Sequence, residues 1–366
     1  MSEKTGEECG DNCLVRVLKS AHLILHDISM ARIAINGFGR IGRGFARAMH
    51  GRADMQLVAI NDLAPVESLA YLLKYDSVYG RAAFSVSNEG NALLIEGAKV
   101  PVYAEKDPLE LPWKDLSVDI VIESTGLFTE AEKARTHITA GAKRVVISAP
   151  AKGDGIDTIL IGAGDSKFGT TTCDITSNAS CTTNAASPLI GILDEAIGIE
   201  RAILNTTHAY TASQAIVDGG RAKDMRESRA AALNMVPTST GAAQATTLAY
   251  PQLANKFDGI SVRVPVPAGS LVDVTFVAKR ATSVDEINAA LRSAASSDRW
   301  KRVFTVSDEP LVSTDILGLP YGAIADLSMT RVVDGTLVKV LAWYDNEMGY
   351  VHTLLEHVSE VAKAIK

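Results

Sequence analysis

The stretch ARIAINGFGRIGR at residues 31–43 decides the fold. An apolar run typical of a buried strand leads directly into Gly37, Gly39 and Gly42, and the helical pattern GRGFARAMHG follows. In a strand–turn–helix of this kind the first glycine allows the tight turn, the second lets a pyrophosphate approach the backbone, and the third lets the helix pack closely on the strand. The pattern therefore predicts a dinucleotide site at the start of the helix, formed by Gly37, Phe38, Gly39, Arg40, Ile41 and Gly42.

Asp62 ends the second apolar strand, QLVAIND, twenty residues after Gly42. A carboxylate at this place is expected to bind the adenosine ribose hydroxyls and to repel a 2′-phosphate, which favours NAD over NADP as the cofactor. The alternative is that Asp62 is an ordinary turn residue at the end of a strand.

Two more apolar strands, VDIVIESTG at 118–126 and KRVVISAP at 143–150, flank the helical pattern EAEKARTHITAG. This repetition of strand, helix and strand implies a parallel, doubly wound sheet of the Rossmann type, in which ligands bind at the carboxyl ends of the strands. Small and polar residues at those ends complete the predicted cofactor site, namely Ser124, Thr125, Gly126 and Ser148.

After residue 180 the strands become longer, as in ERAILNTTHAYT and SLVDVTFVAKR, with β-branched alternation. Such alternation is typical of an antiparallel sheet with one covered face. The expected fold class is α/β, with an N-terminal doubly wound parallel Rossmann sheet and an α+β catalytic domain built on a largely antiparallel mixed sheet. The expected boundaries are 31–180 for the NAD-binding domain, completed by a C-terminal helix at 346–366, and 181–345 for the catalytic domain.

The composition excludes several classes of protein. The chain has 366 residues, a net charge of −7 and four cysteines. Its length favours at least two domains, and no apolar run reaches the roughly 18–20 residues of a membrane helix. The acidic balance gives no reason to expect a nucleic-acid surface. The cysteines have neither the density of a disulfide scaffold nor the spacing of metal ligands, so we expect no metal site and a cytoplasmic location.

Residues 1–29 differ from the rest of the chain. They have acids early and charges within a short apolar stretch, unlike a signal peptide. Met30 then begins MARIAINGFGR, which would be a natural start of a protein. Residues 1–29 are therefore interpreted as an extension outside the fold.

Cys181 lies in NASCTTNAASP at 178–188, where a helical run begins just after it. An ordinary thiol is only a few per cent ionised at neutral pH, but a helix N-terminus or a nearby histidine lowers its pKa. Cys181 is therefore either a nucleophile that is ionised at rest or one member of a cluster of small residues that fills a core.

His208 is the candidate base for that cysteine. Of the seven histidines, it alone lies at a strand end of the second domain, in LNTTHAYT. The alternative is a hydrogen-bonded structural histidine. A dinucleotide site with a cysteine–histidine pair predicts a reaction class: a thiolate adds to an aldehyde, the base takes the hydroxyl proton as hydride leaves, and a second nucleophile releases the thioester.

These residues resemble the phosphorylating glyceraldehyde-3-phosphate dehydrogenase family. The matching runs occur in order from residue 31 onwards: INGFGRIGR at 35–43, ESTG at 123–126, ASCTTN at 179–184, HAYT at 208–211, RAAALN at 229–234, PTSTGAA at 237–243, RVPVP at 263–267, PLVSTD at 310–315 and WYDNEMGY at 343–350. The resemblance implies reversible, NAD-dependent conversion of D-glyceraldehyde 3-phosphate and inorganic phosphate to 1,3-bisphosphoglycerate, in glycolysis or gluconeogenesis.

The resemblance also implies roles for individual residues. Cys181 would be the acylated nucleophile and His208 its base. Asn346 would orient the nicotinamide carboxamide, with Tyr350 beside it; alternatively, Asn346 is a turn residue. The substrate phosphate would bind Thr211, Arg263 and Arg229. Inorganic phosphate would bind Ser180, Thr182, Thr240 and Gly241. The alternative for Thr240 and Gly241 is a cap of the helix predicted for TGAAQATTLAYPQL.

The segment 210–233 resembles the S-shaped loop of this family, which implies a neighbouring subunit and a homotetramer. From the residues alone it is a basic surface loop. Erythrose-4-phosphate dehydrogenase shares the cysteine motif and the glycine turn, but HAYT together with STGAA favours the glyceraldehyde enzyme. A non-catalytic binding protein on the same fold is the other alternative, and the intact set of Cys181, His208 and Arg263 argues against it.

Overall fold

The computed structural model describes residues 30–164, 168, 173–220 and 224–365. The extension expected at residues 1–29 lies outside the described residues, and so do residues 221–223 of the predicted S-shaped loop. Two large sheets organise the described chain, and in the sequence one comes before and the other after the helix that begins at Cys181.

The first sheet lies in the amino-terminal part of the chain. The strands of this part are β1 (Ala31–Asn36), β2 (Met55–Asn61), β3 (Tyr75–Asp76), β4 (Gly80–Arg81), β5 (Val86–Glu89), β6 (Ala92–Ile95), β7 (Ala98–Tyr103), β8 (Ile120–Glu123), β9 (Arg144–Ile147), β10 (Asp157–Thr158) and β11 (Ile175–Ser177). Strands β3 and β4 pair with each other. The others form one sheet in the order β10-β11-β9-β8-β1-β2-β7-β6-β5.

The strands from β10 to β7 in this order are parallel, and β6 and β5 extend the edge as an antiparallel hairpin. The helices of this part are α1 (Arg40–Met49), α2 (Val66–Lys74) and α3 (Ala131–Thr139). From β1 the chain continues to β2 on one side and reaches β8 on the other, so the strand order reverses between β1 and β8. This is the crevice in which doubly wound sheets bind ligands, and the predicted parallel sheet is confirmed.

The second sheet follows α4 (Cys181–Ala196). The elements are β12 (Ile199–Ala209), β13 (Val236–Ser239), α5 (Ala242–Thr247), β14 (Phe257–Val264), β15 (Ser270–Ala278), α6 (Val284–Ala295), β16 (Phe304–Ser307), β17 (Ala323–Val333) and β18 (Leu337–Tyr344). The order is β13-β14-β12-β15-β18-β17-β16. Only the β12–β14 and β16–β17 pairs of this sheet are parallel, so the prediction of a largely antiparallel mixed sheet is confirmed.

One helix is shorter than the sequence pattern predicts. TGAAQATTLAYPQL was expected to be helical throughout, but α5 ends at Thr247 and a separate 3₁₀ turn covers Pro251–Leu253. Pro251 explains the break, because proline has no amide hydrogen to donate and disfavours helical backbone in the residue before it.

Two helices connect the sheets. Helix α4 is buried along most of its length, including Pro188, and packs beneath the second sheet. A helix that is apolar on all sides is stable only inside a core. The C-terminal helix α7 (Met348–Ile365) returns to the first sheet and lies against α1, where Val351 and Met348 face Gly44.

Candidate active site

The glycine turn after β1 has the backbone that its sequence predicts. Gly37 has φ of +89°, and a Cβ there would lie 2.7 Å from the amide nitrogen of Thr125. A Cβ on Gly42 would lie 2.2 Å from the carbonyl oxygen of Gly37, so only glycine lets α1 pack this closely. A Cβ on Gly39 would meet nothing within 4 Å. The open space at Gly39, beside the start of a helix, fits a pyrophosphate.

Asp62 lies directly after β2 and holds the same turn. The Phe38 amide donates to Asp62 Oδ2 at 2.7 Å, and the Ala64 amide donates to Asp62 Oδ1 at 2.9 Å. Because an ionised carboxylate accepts about four hydrogen bonds, about two acceptor positions remain for ribose hydroxyls. The residue is thus more than an ordinary strand-end turn, since it links β2 to the glycine turn.

The other side chains of the glycine turn make contacts within the protein. Phe38 is buried and Ile41 packs against the core, so both are available to a ligand mainly through their backbone. Arg40 forms ion pairs with Glu347 and, at 2.5 Å, with Asp76. The hydrogen bond to Glu347 raises the pKa of the Arg40 guanidinium above its ordinary value. Arg40 therefore ties α1 to the segment that precedes α7.

The residues after β8 and β9 complete the crevice. The Ser124 hydroxyl donates to the Gly37 carbonyl oxygen at 2.6 Å, which joins the end of β8 to the glycine turn. The amide and the hydroxyl of Ser148 donate to the Glu123 carbonyl oxygen at 2.9 and 3.1 Å. Gly126 has φ of +74° and open space around it. The predicted serines thus fix the shape of the crevice.

A buried carboxylate beneath this crevice was not predicted. Glu123 ends β8 with only 1% of its surface exposed. It accepts hydrogen bonds from Asn36 Nδ2 at 2.6 Å and from the Thr125 amide at 2.8 Å, and His137 Nε2 lies 3.1 Å away. Trp113 Nε1 donates to His137 Nδ1 at 3.0 Å, so His137 carries its proton on Nε2 and donates to Glu123. The only sequence signal was an acid at the end of an apolar strand.

Asn346 and Tyr350 lie at the junction of the two sheets. Asn346 is buried, and its Oδ1 accepts hydrogen bonds from the Gly269 amide at 3.0 Å and the Ser270 hydroxyl at 2.9 Å. This fixes the side chain so that its NH₂ group stays available for a ligand. Tyr350 instead donates from its hydroxyl to the Ala179 carbonyl oxygen at 3.0 Å, so its polar atom serves the loop before Cys181.

Helix α4 begins at Cys181 itself. Ser180 is the N-cap, and its hydroxyl oxygen accepts a hydrogen bond from the Thr183 amide at 3.1 Å. Ala179 has φ of +55°, which is unfavourable for a residue with a side chain and turns the chain sharply into the helix. Cys181 therefore lies at the positive end of the helix dipole, which favours negative charge on its sulfur.

His208 lies beside that sulfur. Cys181 Sγ is 3.4 Å from His208 Nε2, and His208 is the penultimate residue of β12. On the adjacent parallel strand Arg263 pairs with His208 in register, and its Nη1 lies 2.5 Å from His208 Nδ1. The structure thus brings together three residues that the sequence placed far apart, a thiol, an imidazole and a guanidinium.

The environment shifts both pKa values. Burial raises the pKa of the Cys181 thiol, although the charge of Arg263 and hydrogen bonds involving Thr182 act in the opposite direction. Burial, followed by the charge of Arg263, lowers the pKa of His208 to about 3. Both directions favour a neutral thiol beside a neutral imidazole, whereas the start of α4 favours a charged sulfur, so ionisation of the sulfur at rest stays a prediction. The thiol is still partly exposed, as a nucleophile must be.

The predicted phosphate ligands differ in the hydrogen bonds that their side chains already make. The Thr182 hydroxyl lies 2.9 Å from the buried Tyr344 hydroxyl and therefore points into the core. The Thr240 hydroxyl accepts a hydrogen bond from the Ala242 amide at 3.2 Å, and Gly241 is the N-cap of α5, as the capping alternative predicts. Thr211 lies just beyond β12, with its hydroxyl 3.0 Å from that of Ser213.

Arg229 is placed differently from Arg263. Its Nε donates to Asp218 at 2.9 Å, and its side chain is 61% exposed on the segment between β12 and β13. The structure therefore gives Arg229 a carboxylate partner on the surface, whereas Arg263 lies against the proposed base.

Tyr344 is a second buried residue that the sequence did not single out. Its hydroxyl lies 2.9 Å from the Thr182 hydroxyl and 2.7 Å from the Thr206 hydroxyl. Its ring packs edge-on against that of His208, with centroids 5.9 Å apart. Tyr344 thus connects the start of α4 with β12 and limits the orientations open to His208. Its position in WYDNEMGY was visible, but its partners were not.

A Rossmann sheet with a dinucleotide turn, joined to a second sheet that presents a cysteine–histidine pair, defines an NAD-dependent dehydrogenase. Two family models match the chain: the NAD binding domain of glyceraldehyde 3-phosphate dehydrogenase at residues 31–131, and its C-terminal domain at residues 180–346. The chain belongs to the glyceraldehyde-3-phosphate dehydrogenase family, and its cofactor is NAD, as predicted.

Curated relatives match over nearly their whole length. The chain is 48% identical to the glyceraldehyde-3-phosphate dehydrogenase of Zymomonas mobilis over 336 residues, which is 91% of this chain and 99% of the relative. It is 48% identical to that of Mycobacterium avium over 341 residues, with the same two shares. It is 46% identical to glyceraldehyde-3-phosphate dehydrogenase 2 of Streptomyces avermitilis, covering 89% of this chain and 96% of the relative.

No helix within the described ranges combines the length and the apolar character needed to cross a membrane.

Proposed function

We propose that the protein oxidises D-glyceraldehyde 3-phosphate with NAD and inorganic phosphate to 1,3-bisphosphoglycerate, reversibly, as a step of glycolysis or gluconeogenesis in the cytoplasm. The observation that carries this proposal is the 3.4 Å approach of Cys181 Sγ to His208 Nε2 at the start of α4. A thiol at a helix start, in reach of an imidazole and partly open to solvent, is suited to attack a carbonyl carbon.

In the proposed reaction Cys181 gives its proton to His208 as its sulfur adds to the aldehyde carbon. His208 passes this proton to the carbonyl oxygen, which gives a hemithioacetal, and takes the hydroxyl proton back as hydride leaves. NAD, when bound, supplies the hydride acceptor. The resulting thioester on Cys181 is attacked by inorganic phosphate, which releases the acyl phosphate and restores the sulfur. The partial positive charge at the start of α4 stabilises negative charge on the sulfur in both additions.

We assign cofactor binding to the crevice between β1 and β8. The turn from Gly37 to Gly42 would hold the pyrophosphate and Asp62 the ribose, while the free NH₂ group of Asn346 would bind the carboxamide. The open space at Gly39 and the remaining acceptor positions of Asp62 support this assignment. The first sheet with α7 would form the NAD-binding unit, at 31–180 and 346–366, and residues 181–345 the catalytic unit.

We assign the binding of the substrate phosphate to Arg263 and Thr211. Arg229 would contribute to this site only if its exposed segment moved towards it. Inorganic phosphate would bind near Ser180, Thr182, Thr240 and Gly241. Arg263 is the best supported of these residues, because its guanidinium lies next to His208. A guanidinium binds a phosphate with two parallel hydrogen bonds and so fixes the far end of the substrate.

We further propose a homotetramer. Apolar side chains on the strands of the second sheet are exposed, for example Ile203 at 59% and Ile260 at 52%. Ile203 lines an open groove of about 750 Å³ together with Arg201, Asp258 and Leu337. Exposed apolar surface of this kind is typical of an interface between subunits. Analytical ultracentrifugation should give the mass of a tetramer, and Ile203→Glu should shift it to smaller species.

Steady-state kinetics test the enzymatic proposal. NADH formation from D-glyceraldehyde 3-phosphate should depend strictly on phosphate or arsenate, and Cys181→Ser should abolish it. Mass spectrometry of the enzyme mixed with substrate and NAD without phosphate should find the acyl group on Cys181. Turnover at full rate without phosphate, or faster turnover of erythrose 4-phosphate, would contradict the proposal.

A further inference from the structure

Two acidic residues flank Asn346 in the chain, and side chains from the amino-terminal part of the protein hold both of them. Asp345 accepts hydrogen bonds from the Tyr79 hydroxyl, at 2.8 Å to Oδ1 and 3.0 Å to Oδ2. Arg40 Nε donates to Glu347 Oε1 at 2.8 Å, and Arg40 Nη2 donates to Oε2. Arg40 begins α1, and Tyr79 lies in the turn between β3 and β4. The backbone on either side of Asn346 is therefore tied to the part of the chain that forms the glycine turn.

These contacts close into one ring, which we call the acidic clamp: Arg40, Asp76, Tyr79, Asp345 and Glu347. Asp76 forms an ion pair with Arg40 at 2.5 Å and accepts a hydrogen bond from the Tyr79 amide at 3.1 Å. The Glu347 amide donates to Asp345 Oδ1 at 2.9 Å. The Arg40 guanidinium carbon also lies 5.7 Å from the centroid of the Tyr79 ring, within the range of a cation–π interaction. Because every member contacts two others, displacement of one side chain is opposed by the rest of the ring.

The carboxylates of the acidic clamp are mostly withdrawn from water. Asp345 is 1% exposed, and the side chains of Asp76 and Glu347 are 10% and 17% exposed. Burial, followed by the charges of Asp345 and Glu347, raises the pKa of Tyr79 above its ordinary value, so its hydroxyl keeps the proton that it donates. Salt screens partly buried pairs much less than exposed ones, so these contacts hold the backbone around Asn346 more firmly than surface ion pairs would.

The side chain of Asn346 is fixed from the opposite direction, by the second sheet. Its Oδ1 accepts hydrogen bonds from the Gly269 amide at 3.0 Å and from the Ser270 hydroxyl at 2.9 Å, at the start of β15. A backbone amide can only donate, so the partner of Gly269 is the oxygen of Asn346 and its NH₂ group remains for a ligand. The second sheet thus orients the amide of Asn346, whereas the acidic clamp locates the backbone that carries it.

We propose that Tyr79 and Arg40 are positioning residues for the nicotinamide end of the cofactor, because through the acidic clamp they fix the distance between Asn346 and the glycine turn. This inference rests on the proposed function, in which the turn binds the pyrophosphate and Asn346 binds the carboxamide. Arg40 belongs to the turn itself, so the clamp joins the two proposed binding points directly. A reacting group that is misplaced by about 1 Å can lose about 10²-fold in rate, so this distance bears on hydride transfer as well as on affinity.

Comparing the binding of NAD with that of ADP-ribose tests this proposal without any turnover. ADP-ribose lacks the nicotinamide ring and keeps the pyrophosphate, so only NAD reports contact with Asn346. Tyr79→Phe removes the hydroxyl and keeps the ring. Titration calorimetry should find its Kd for NAD raised about 3- to 10-fold, the factor that the net contribution of one hydrogen bond represents. Its Kd for ADP-ribose should change by less than about twofold. Tyr71→Phe, at an exposed tyrosine of α2, is the matched control and should bind both ligands like the wild type.

A double-mutant cycle with Asn346→Ala shows whether the acidic clamp acts through Asn346. In the Asn346→Ala background the Tyr79→Phe substitution should no longer change the Kd for NAD, because the contact that it weakens is already gone. Arg40→Lys is a second variant, which replaces the planar fork by a point charge. It should give the same selective loss of NAD affinity as Tyr79→Phe. Both single variants should also slow NADH formation in a single turnover at saturating NAD, on the order of 10-fold.

Three results would overturn the inference. The Kd values for NAD and ADP-ribose may rise by the same factor in Tyr79→Phe and Arg40→Lys, which would make the acidic clamp a support of the glycine turn alone. Both Kd values may stay at the wild-type level in both variants. The loss of NAD affinity may also persist undiminished in the Asn346→Ala background. Failure of the proposed function is distinguishable from all three, since the wild type would then bind NAD but form no NADH from D-glyceraldehyde 3-phosphate and inorganic phosphate.

Discussion

Asp62→Ala tests how the glycine turn and cofactor selection depend on one carboxylate. Asp62 accepts hydrogen bonds from the Phe38 amide at 2.7 Å and the Ala64 amide at 2.9 Å, and its remaining lone pairs are proposed to bind the ribose. The substitution removes the ribose contacts and also leaves the Phe38 amide without its acceptor. Both effects weaken the binding of NAD, and neither touches Cys181 or His208.

The size of the effect follows from the kind of bond that is lost. A hydrogen bond to a charged group contributes about 1.5–3 kcal/mol, and each 1.4 kcal/mol corresponds to about tenfold in affinity. We therefore expect the KM for NAD to rise about 10- to 100-fold. The kcat should change little, because the ribose is bound equally in the ground state and the transition state. Asp62→Asn keeps one acceptor oxygen and loses the charge. Its KM for NAD should therefore lie between those of the wild type and Asp62→Ala, and it should accept NADP more readily than the wild type.

The assay is steady-state turnover with NAD and with NADP at saturating aldehyde and phosphate. Glu67→Ala is the matched control, since Glu67 is an exposed acid in the first turn of α2. Thermal unfolding of each variant separates lost affinity from lost fold. A KM for NAD within twofold of the wild type in Asp62→Ala, with an unchanged unfolding temperature, would refute the reasoning.

Three more predictions concern buried groups. His208→Asn should slow the NADH burst by about 10²–10⁴-fold with little change in NAD binding, and an unchanged burst would make His208 a structural residue. Tyr344→Phe keeps the ring but deprives the Thr182 and Thr206 hydroxyls of a partner, so calorimetry should find the protein less stable by about 1–3 kcal/mol; equal stability would mean that water replaces the hydroxyl. Burial lowers the pKa of His357 to about 3 from 6.5, so the unfolded chain alone takes up this proton below about pH 6.5. Stability should therefore fall between pH 6.5 and 3, by up to about 1.4 kcal/mol per pH unit, and His357→Gln should flatten the measured pH dependence of the unfolding temperature; an equal slope in both proteins would contradict this.

The parallel sheet was predictable because its signals are local. The glycine turn at Gly37, the apolar run before it and Asp62 after the next strand lie within one short stretch of chain. The hairpin of β5 and β6 was not predicted, because both strands are short and neither alternates: β5 is mostly polar and β6 is entirely apolar. The length of α5 was overestimated because the residues before Pro251 favour a helix, whereas the proline itself interrupts it.

The candidate site was predictable in its residue types but not in its side-chain directions. Cys181 and His208 were found because a small-residue helix start and a strand end are recognisable in sequence. That the Thr182 hydroxyl points at Tyr344, 162 residues away, depends on how α4 packs under the second sheet. The pKa of Cys181 could not be predicted either, because burial and the charge of Arg263 oppose each other and only the packing shows which is larger.

The C-terminal helix shows why contacts distant in sequence matter to the nucleophile. His357 lies 2.9 Å from the Thr176 hydroxyl and 3.2 Å from Asn178 Oδ1, and Tyr350 donates to the Ala179 carbonyl oxygen. These contacts hold the loop before Cys181, including the positive φ of Ala179, which costs about 1–2 kcal/mol. Because α7 also lies against α1 at Gly44, the same helix contacts both the loop before the sulfur and the helix that borders the proposed cofactor crevice. The distance between the thiol and the proposed cofactor site therefore depends on a helix that contributes no reacting atom, and a packing change in α7 should alter the rate of hydride transfer without touching the thiol or its base.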